Sequence, residues 1–571
     1  METTEGDPLK VGEGEAETGT GPSVTELKKK KSCKEVLGFS KLTHWRTAVF
    51  FLSLFLCLTI VFAFSFIIPC PVRPQYLSTW NRTFSEAVTY DFLAIEDTNN
   101  DNVMDVLFVL KNTEIGQNKT CTAGLPSPCV FVLAVDGTDG ETLWGRALDP
   151  EFHWAQCGLD AEKGRSWHCL LSHSDQLTAV DKYTGEIQWQ QPQPAGLNST
   201  APVLIVPDLD GDKISDVALV ASDLTQSRLA FLSGTTGVQI GTTVVLDSIE
   251  TVNHLLHCTT DGSYYVLIKK GSGLYGLALW RIAAKAGMEG SLQKDKDWED
   301  DANATSGLVP IYESDPVRQV LRVEQTGCAP KLLLVTANSV ALVDGKHRQL
   351  LWRFNTSAIL TEPSFGHFNK DDVLDVVVEE DIGNYTKRVR PPRGFCHAAT
   401  NPRVPHSLHC CPCVLQVMIL DGKSGGLLWE VNLLASPNSP RPAAIHTINS
   451  FSIFVFWGTM PSQANSSEPF ESDRHSYLLH PLYAGVLLQS ANVMDHILTF
   501  HATLLEKGRH AAYILLTGPG AVGAEGTVVL SKRKMKQEVL DSRVLHIGTG
   551  GSAATSEEIK DAFGRLRFSD W

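Results

Sequence analysis

The sequence predicts an all-β, repeat-built ectodomain carried behind a single membrane-spanning helix. Three observations predict it. Residues Thr47 to Ile68 form an uncharged apolar run. A hairpin element, an apolar run followed by an Asp/Gly turn with a Trp eight residues after the Asp, recurs along the rest of the chain with constant spacing. A second element, a tight loop of alternate carboxylates, runs straight into an apolar strand. Composition agrees. The 571 residues are 43% hydrophobic and 20% charged, with a net charge of -15. That excludes a mainly disordered chain, which is poorer in apolar residues, and a nucleic-acid binder, which needs a basic footprint.

The membrane segment comes first. Fifteen of the 22 residues from Thr47 to Ile68 are Val, Leu, Ile or Phe. At the usual transfer energies they favour insertion by about 5–9 kcal/mol. As a helix the run is about 33 Å long, enough for a hydrocarbon core. A cleaved signal peptide is a poor match: the run is too long, starts late and is followed by no A-x-A-like site. Lys28 to Lys31, Lys34, Lys41 and Arg46 precede it, and only Arg73 follows closely. The positive-inside rule therefore predicts a type II signal-anchor, with a cytoplasmic N-terminus and an extracellular or luminal remainder. Met1 to Glu26 reads as disordered tail. The lysine run can also touch anionic lipid, although topology is its sufficient explanation.

Cysteines and sequons fit that orientation. Of thirteen cysteines, eleven follow the anchor. Cys70, between Pro69 and Pro71, has three open readings: free, acylated or linking two chains. Cys121, Cys129, Cys157, Cys169, Cys258, Cys328, Cys396, Cys410, Cys411 and Cys413 are disulfide candidates in an oxidising compartment. Cys121 with Cys129 and Cys157 with Cys169 are plausible local pairs, but spacing does not fix the connectivity. Seven N-x-[ST] sequons, Asn81, Asn118, Asn198, Asn303, Asn355, Asn384 and Asn465, all follow the anchor. A single sequon is weak, whereas seven on one side predict a glycoprotein.

The hairpin element starts at Asp136, Asp181, Asp344 and Asp421, and its tryptophans are Trp144, Trp189, Trp352 and Trp429. A degenerate copy begins at Ser233. An apolar strand enters, Asp and Gly supply a turn with positive φ, and a strand ending in Trp returns. The Trp is expected to pack between neighbouring sheets.

The acidic loops carry the candidate chemistry. The first is D-x-N-x-D-x-x-x-D, with Asp97, Asn99, Asp101 and Asp105. The second is D-x-D-x-D-x-x-x-D, with Asp208, Asp210, Asp212 and Asp216. Alternate carboxylates on a tight loop converge their oxygens, and a hard cation such as Ca²⁺ offsets their repulsion. An EF-hand is excluded, because its twelfth position, normally a bidentate Glu, is Phe108 or Leu219. A third copy supplies Asn369, Asp371 and Asp375, but His367 replaces its first acid and suits Ca²⁺ poorly. Lys213 is a poor choice for the left-handed geometry that Asn102 tolerates at the same position.

Together these elements resemble the FG-GAP repeat of integrin α-subunit β-propellers, down to Phe365-Gly366 before the third loop. The hairpins also look like the quinoprotein-type propeller repeat. Over residues 80–540 the chain is similar to the integrin-α FG-GAP-repeat-containing proteins, a type II membrane group. The membrane-exit run Phe62 to Pro71 and the late run His510 to Pro519 carry that match. The resemblance implies a propeller of about seven blades, with eight still possible, whose edges are short and protected. It implies structural calcium on the two acidic loops, completed by the backbone carbonyls of Val103 and Ile214. The anchor stands at the opposite end from that of integrins, and no leg-sized domains follow, so ligand recognition does not carry over.

The expected organisation is a tail over 1–46, basic near the membrane, an anchor over 47–68 and a linker over 69–79. A propeller follows over 80–540 with a Cys-rich insertion at 383–413, and the C-terminal segment covers 541–571. In that segment Ser556 to Phe568 reads as a short helix capped by Ser556, with Ile559, Ala562, Phe563 and Leu566 on one face.

No nucleophile elbow, H-E-x-x-H motif or P-loop is found, and no pair of carboxylates is singled out for catalysis. The adjacent Cys410-Cys411 raise a quinone-dependent dehydrogenase, and Cys396-His397 with His406 and His409 raise a zinc site. Disulfides within the insertion explain those thiols better. The sequence therefore predicts a non-enzymatic membrane glycoprotein with a protein partner for its calcium-stabilised ectodomain. The alternatives are a luminal trafficking or sensing scaffold, or a luminal enzyme.

Overall fold

The computed structural model describes residues 44–67, 79–112, 129–149, 151–159, 167–197, 202–222, 226–247, 250–288, 292–323, 327–382, 413–435, 439–461, 475–492, 496–506, 510–519, 524–548 and 554–569. The chain falls into two compact units, Met1–Pro74 and Gln75–Trp571.

In the first unit the apolar run forms a 24-residue helix, His44–Ile67. Among the described residues it is the one helix long and apolar enough to cross a membrane. Two of its hydroxyls are engaged by the helix itself. Ser53 donates to the Phe50 carbonyl at 2.9 Å and Thr59 to that of Leu56 at 2.8 Å, which satisfies them within the helix.

The second unit is a β-propeller built wholly from antiparallel strand pairs. Its strands fall into seven sheets, six of four or five strands and one of seven. The seven-stranded sheet is two blades joined through one long strand, Thr79–Glu96. Residues 79–84 of that strand pair with Gly526–Lys534 and close the last blade. Residues 93–96 pair with Asp105–Asn112 and open the first. Two register shifts and Glu86, at φ 48°, let the strand change sheets. Counted as four-stranded units the ring therefore has eight blades, the upper of the two counts expected. A division by length cannot detect a strand shared between two blades.

The first strand of each blade is innermost. Thr79–Glu96 touches Phe152–Gln156 on one side and His496–Glu506 on the other, and His496–Glu506 touches Ala443–His446. The ring is thus closed by its own N-terminal strand. The core lies between blades. Leu107, Val109 and Val130 of the first blade pack with Leu171 and Val180 of the second, all buried.

The repeated tryptophans clasp one blade to the next. Trp144 donates from Nε1 to the Lys182 carbonyl at 2.8 Å, Trp352 to that of Gly422 at 2.8 Å, and Trp429 to that of Ala484 at 2.9 Å. Trp80, from the closing strand, donates to the Gly137 carbonyl at 3.1 Å and completes the circle. Between the second and third blades Trp167 supplies the indole N–H, to Gly234 at 2.5 Å, while the Trp189 ring lies on Gly237. The hairpin tryptophans do not end their strands as expected. Trp144 is third in Thr142–Leu148, so the strand continues past the clasp.

In the turns that start at Asp136, Asp181 and Asp421 the fifth residue is glycine, for two reasons at once, whereas the Asp344 turn carries Arg348 there at φ 55°. Gly185 has φ 67°, and a Cβ there would lie 2.4 Å from the Trp144 ring. Gly185→Ala is therefore expected to cost about 2–4 kcal/mol, from left-handed strain and a displaced indole. A thermal melt matching the wild type would show that the clasp does not hold these blades together.

Residues after the last blade return to the ring. Arg543–His546 adds a fifth strand to the seventh blade. The C-terminal helix is Ser556–Gly564, shorter than expected, with Ile559 and Phe563 buried. Its cap is Thr555 rather than Ser556. The Thr555 hydroxyl accepts from the Glu558 N–H, and Glu558 bonds back to the Thr555 N–H, a reciprocal box that Ser556 cannot make from inside the first turn.

Two disulfides are described: the local Cys157–Cys169 and the long-range Cys258–Cys328, 70 residues apart. Cys121, Cys396, Cys410 and Cys411 lie outside the described residues, as does the insertion over 383–412. Cys129 and Cys413 begin the strands Cys129–Val135 and Cys413–Leu420. Their side chains are likewise outside the description.

Candidate functional site

The three acidic loops occupy equivalent places, each between the first and second strands of its blade. Position six is left-handed in all three, with φ 64° at Asn102, 71° at Lys213 and 59° at Asp372. Lys213 thus adopts the geometry for which it is poorly suited. Its N–H donates to Asp208 at 2.8 Å, as the Asn102 N–H does to Asp97 at 3.1 Å, so the first acid of the loop holds the turn closed.

The last Asp of each loop is buried and works as a lock between the two repeated elements. Asp105 accepts from the N–H and hydroxyl of Thr98, both at 2.8 Å, and from the Gly137 N–H at 2.9 Å. Asp216 accepts from Leu209 N–H at 2.6 Å and Gly234 N–H at 2.9 Å. Asp375 accepts from Phe368 N–H at 2.7 Å, Asn369 N–H at 3.2 Å and Gly422 N–H at 3.0 Å. The acceptor therefore ties its own loop to the second residue of the hairpin turn. That residue must be glycine, because a Cβ at Gly137 would fall 1.8 Å from the Met104 carbonyl oxygen. Burial pushes the Asp105 and Asp216 carboxyls up to about 6 against the pull of those donors.

The remaining acids differ between loops. In the second loop, oxygens of Asp208, Asp210 and Asp216 all lie within 4.8 Å of one another, the geometry a single hard cation needs. Asp212 turns aside. It accepts from the Ile214 N–H at 2.8 Å and from the Thr235 hydroxyl, and so belongs to the hairpin as much as to the loop. In the first loop, Asp101 accepts from the Val103 N–H at 2.7 Å and Asn99 from the Asp101 N–H at 3.0 Å. Asp97 Oδ1 is buried without a donor. Asn369 Oδ1 is in the same condition in the third loop, where Asp371 accepts from the Val373 N–H at 3.0 Å. His367 contacts the Val373 carbonyl at 3.1 Å through Nδ1, so this copy is closed in part by an imidazole. Donor-less oxygens beside carboxylates fit a bound cation.

Asn81, Asn303 and Asn355 are exposed, as carbohydrate attachment requires. Asn118, Asn198, Asn384 and Asn465 lie outside the described residues. Sequence reasoning missed Trp80 and Trp167 as clasps, since neither stands eight residues after an Asp as the repeated tryptophans do. It also missed Glu379, a buried carboxyl that reads in sequence as the polar end of a strand.

A family model described as FAM234A/B beta-propeller matches residues 80–390 and 413–569. Protein FAM234A of Bos taurus is 36% identical over 540 residues, 93% of this chain and 92% of that protein. Protein FAM234B of Gallus gallus is 26% identical over 568 residues, 93% of this chain and 84% of that protein. Among solved structures, the WD40 domain of SCAP from fission yeast is similar with a TM-score of 0.40 and 12% identity, covering 79% of this chain and 98% of that one.

Proposed function

The chain belongs to the FAM234A/B β-propeller family, and from that premise we propose that it is a type II membrane glycoprotein whose propeller binds a protein partner rather than catalysing a reaction. One observation carries this reading. The acidic residues that stand out in the sequence are engaged in holding turns together: both oxygens of Asp105 and of Asp216 accept backbone N–H groups. They build a rigid surface, which is what a recognition module needs and a proton-transfer site does not. The apolar helix His44–Ile67 would hold that surface at a membrane, with the lysines before it on the cytoplasmic side. The paired elements also support kinship with the FG-GAP repeat at the level of the loop-and-hairpin unit.

Cross-linked co-purification of the full-length protein from membranes tests the partner. The control is the same tail and helix without residues 75–571. A near-stoichiometric protein that disappears with the propeller is expected. Recovery of the chain alone under both conditions contradicts the reading.

We propose further that calcium stabilises the first two loops. The convergence of Asp208, Asp210 and Asp216 and the donor-less Asp97 Oδ1 support it. The ion would be held by side chains and by the Val103 and Ile214 carbonyls, and would offset the repulsion between carboxylates. Removing calcium with a chelator is expected to lower the melting temperature. Asp210→Ala should lower it in calcium buffer and abolish most of the chelator effect. Identical melts with and without chelator would end the calcium assignment.

A further inference from the structure

The fourth blade departs from the repeat. The blades that carry the Asp/Gly hairpin pass from their third strand to their fourth in a tight turn. Here the third strand, Gly273–Ala278, runs into the helix Leu279–Lys285, and residues 279–307 intervene before the fourth strand, Leu308–Tyr312. A second helix, Lys296–Asp300, lies in the same excursion. Long connections on a rigid scaffold are where binding residues concentrate.

The excursion is anchored at several points. Trp298 is buried, stacked on His257 with ring centroids 5.2 Å apart and packed on Tyr265 at 4.5 Å. Asp295 accepts the Trp298 N–H at 3.1 Å and caps the second helix. The Ser263 hydroxyl donates to the Gln293 carbonyl at 2.9 Å, which ties the excursion to the turn between the blade's first two strands.

A cavity of about 300 Å³ opens between this excursion and the third blade. Its walls include Asp208 from the second acidic loop, Tyr264 from the strand Tyr264–Lys270, and Leu279, Trp280, Leu292 and Gln293 from the excursion. The Trp280 ring is fixed in place. Its Nε1 donates to Glu299 Oε1 at 2.9 Å, and Arg281, ion-paired with the same Glu299, lies 4.5 Å from the ring centroid. Lys294 Nζ also lies over the ring, at 4.0 Å. Lys294 is exposed and has no ion pair among the described residues, so a ligand can take its place on the ring. Asp208 accepts the Gly211 N–H at 2.6 Å and the Lys213 N–H at 2.8 Å on separate oxygens, which holds its carboxylate still.

We propose that this cavity binds a sugar ring, one neutral monosaccharide unit of a glycan. Its volume lies at the lower end of small-molecule sites, which suits a single ring. The walls select the class. A cation would meet Lys294, which already occupies the Trp280 ring, and an anion would meet Asp208. A wholly apolar molecule would strip water from Asp208 and Gln293 and return no hydrogen bond. A sugar ring offers C–H groups on its face for Trp280, Tyr264 and the two leucines, and hydroxyls at its edge for the carboxylate and the amide. This reading goes beyond the protein-partner reading and does not depend on it.

The test uses the full-length protein in calcium buffer and a detergent without a sugar headgroup. The probes are the methyl glycosides of glucose, galactose, mannose, fucose, N-acetylglucosamine and N-acetylgalactosamine, with N-acetylneuraminic acid as an anionic comparison. Saturation-transfer NMR at millimolar probe is expected to show at least one neutral glycoside bound, with its ring C–H protons most strongly saturated. Trp280→Ala and Gln293→Ala should each weaken that binding about fivefold or more. Lys294→Ala should leave it unchanged or strengthen it. Gln293 is exposed, so the melt of Gln293→Ala should stay near that of the wild type, which separates lost binding from lost fold. The proposal is overturned if no neutral glycoside binds, or if binding survives both Trp280→Ala and Gln293→Ala unchanged. Binding of the acidic sugar alone, lost in Lys294→Ala, overturns it as well.

Discussion

Glu379→Gln is expected to stabilise the propeller at neutral pH, and to do so more at pH 7.4 than at pH 5. Glu379 is on the strand Asp375–Asp381 and is 1% exposed. The Thr361 hydroxyl donates to one carboxyl oxygen at 2.7 Å, and the other oxygen has no donor. Burial raises the carboxyl from 4.5 to about 8. The sign follows from which state binds the proton. In the folded chain the group stays protonated while the unfolded chain ionises. Its contribution to stability is therefore complete below 4.5 and is lost as pH climbs toward about 8. The loss is about 1.4 kcal/mol per pH unit across that window, or about 3 kcal/mol near neutrality. Glutamine keeps a carbonyl acceptor for Thr361 and cannot ionise. After allowance for its own buried amide, a net gain of about 1–3 kcal/mol is expected at pH 7.4. Chemical denaturation at the two pH values measures it. A variant whose advantage is equal at both, or larger at pH 5, would show that Glu379 does not hold its proton in the fold.

Asp105→Ala is expected to have the opposite and larger effect. Its carboxylate receives three donors, the N–H and hydroxyl of Thr98 in its own loop and the N–H of Gly137, 32 residues further along the chain. Truncation leaves buried N–H groups without an acceptor, each at a cost of about 1–3 kcal/mol, and a total of about 3–5 kcal/mol is expected. Loosening Gly137 also disturbs the Trp80 clasp, because the Gly137 carbonyl is the acceptor of that indole. The damage should therefore reach the seam between the last and first blades. Hydrogen exchange should show residues 79–84 opening with the first loop. The destabilisation should be present in chelator as well as in calcium. If it vanishes when calcium is removed, Asp105 serves the ion and not the turn.

The two predictions mark where sequence reasoning was strong and where it stopped. The hairpins were legible because a tight turn imposes local requirements: Asp before it, a left-handed glycine at its end, and an apolar strand on either side. Gly185, between Asp181 and Trp189, carries all of that within nine residues. The partner of Trp144 was not legible. It lies in the next blade's turn at Lys182 and Gly185, and nothing local to Trp144 specifies which carbonyl its indole will find. The acidic loops were recognised for their alternating carboxylates. Sequence treated their four acids as equivalent ligands, whereas the fold separates them. The last Asp is sealed under backbone donors, and Asp212 is drawn to Thr235. Glu379 was passed over because a run of three valines ending in Glu-Glu-Asp reads as a strand reaching solvent.

Taken alone, the sequence determined the long apolar helix, the all-β repeat character, the turns and the positions of the acidic loops. These depend on composition and on contacts within about ten residues, where side-chain type and backbone geometry are directly coupled. Tertiary structure alone decided the number of blades, the pairing of Cys258 with Cys328, the docking of each tryptophan and the locking of Asp105, Asp216 and Asp375 onto distant glycines. The reason is the same in each case. A propeller buries its core between sheets, so its decisive contacts join residues far apart in the chain. Only closure of the ring, by residues 79–84 pairing with Gly526–Lys534, brings the two ends of the domain together.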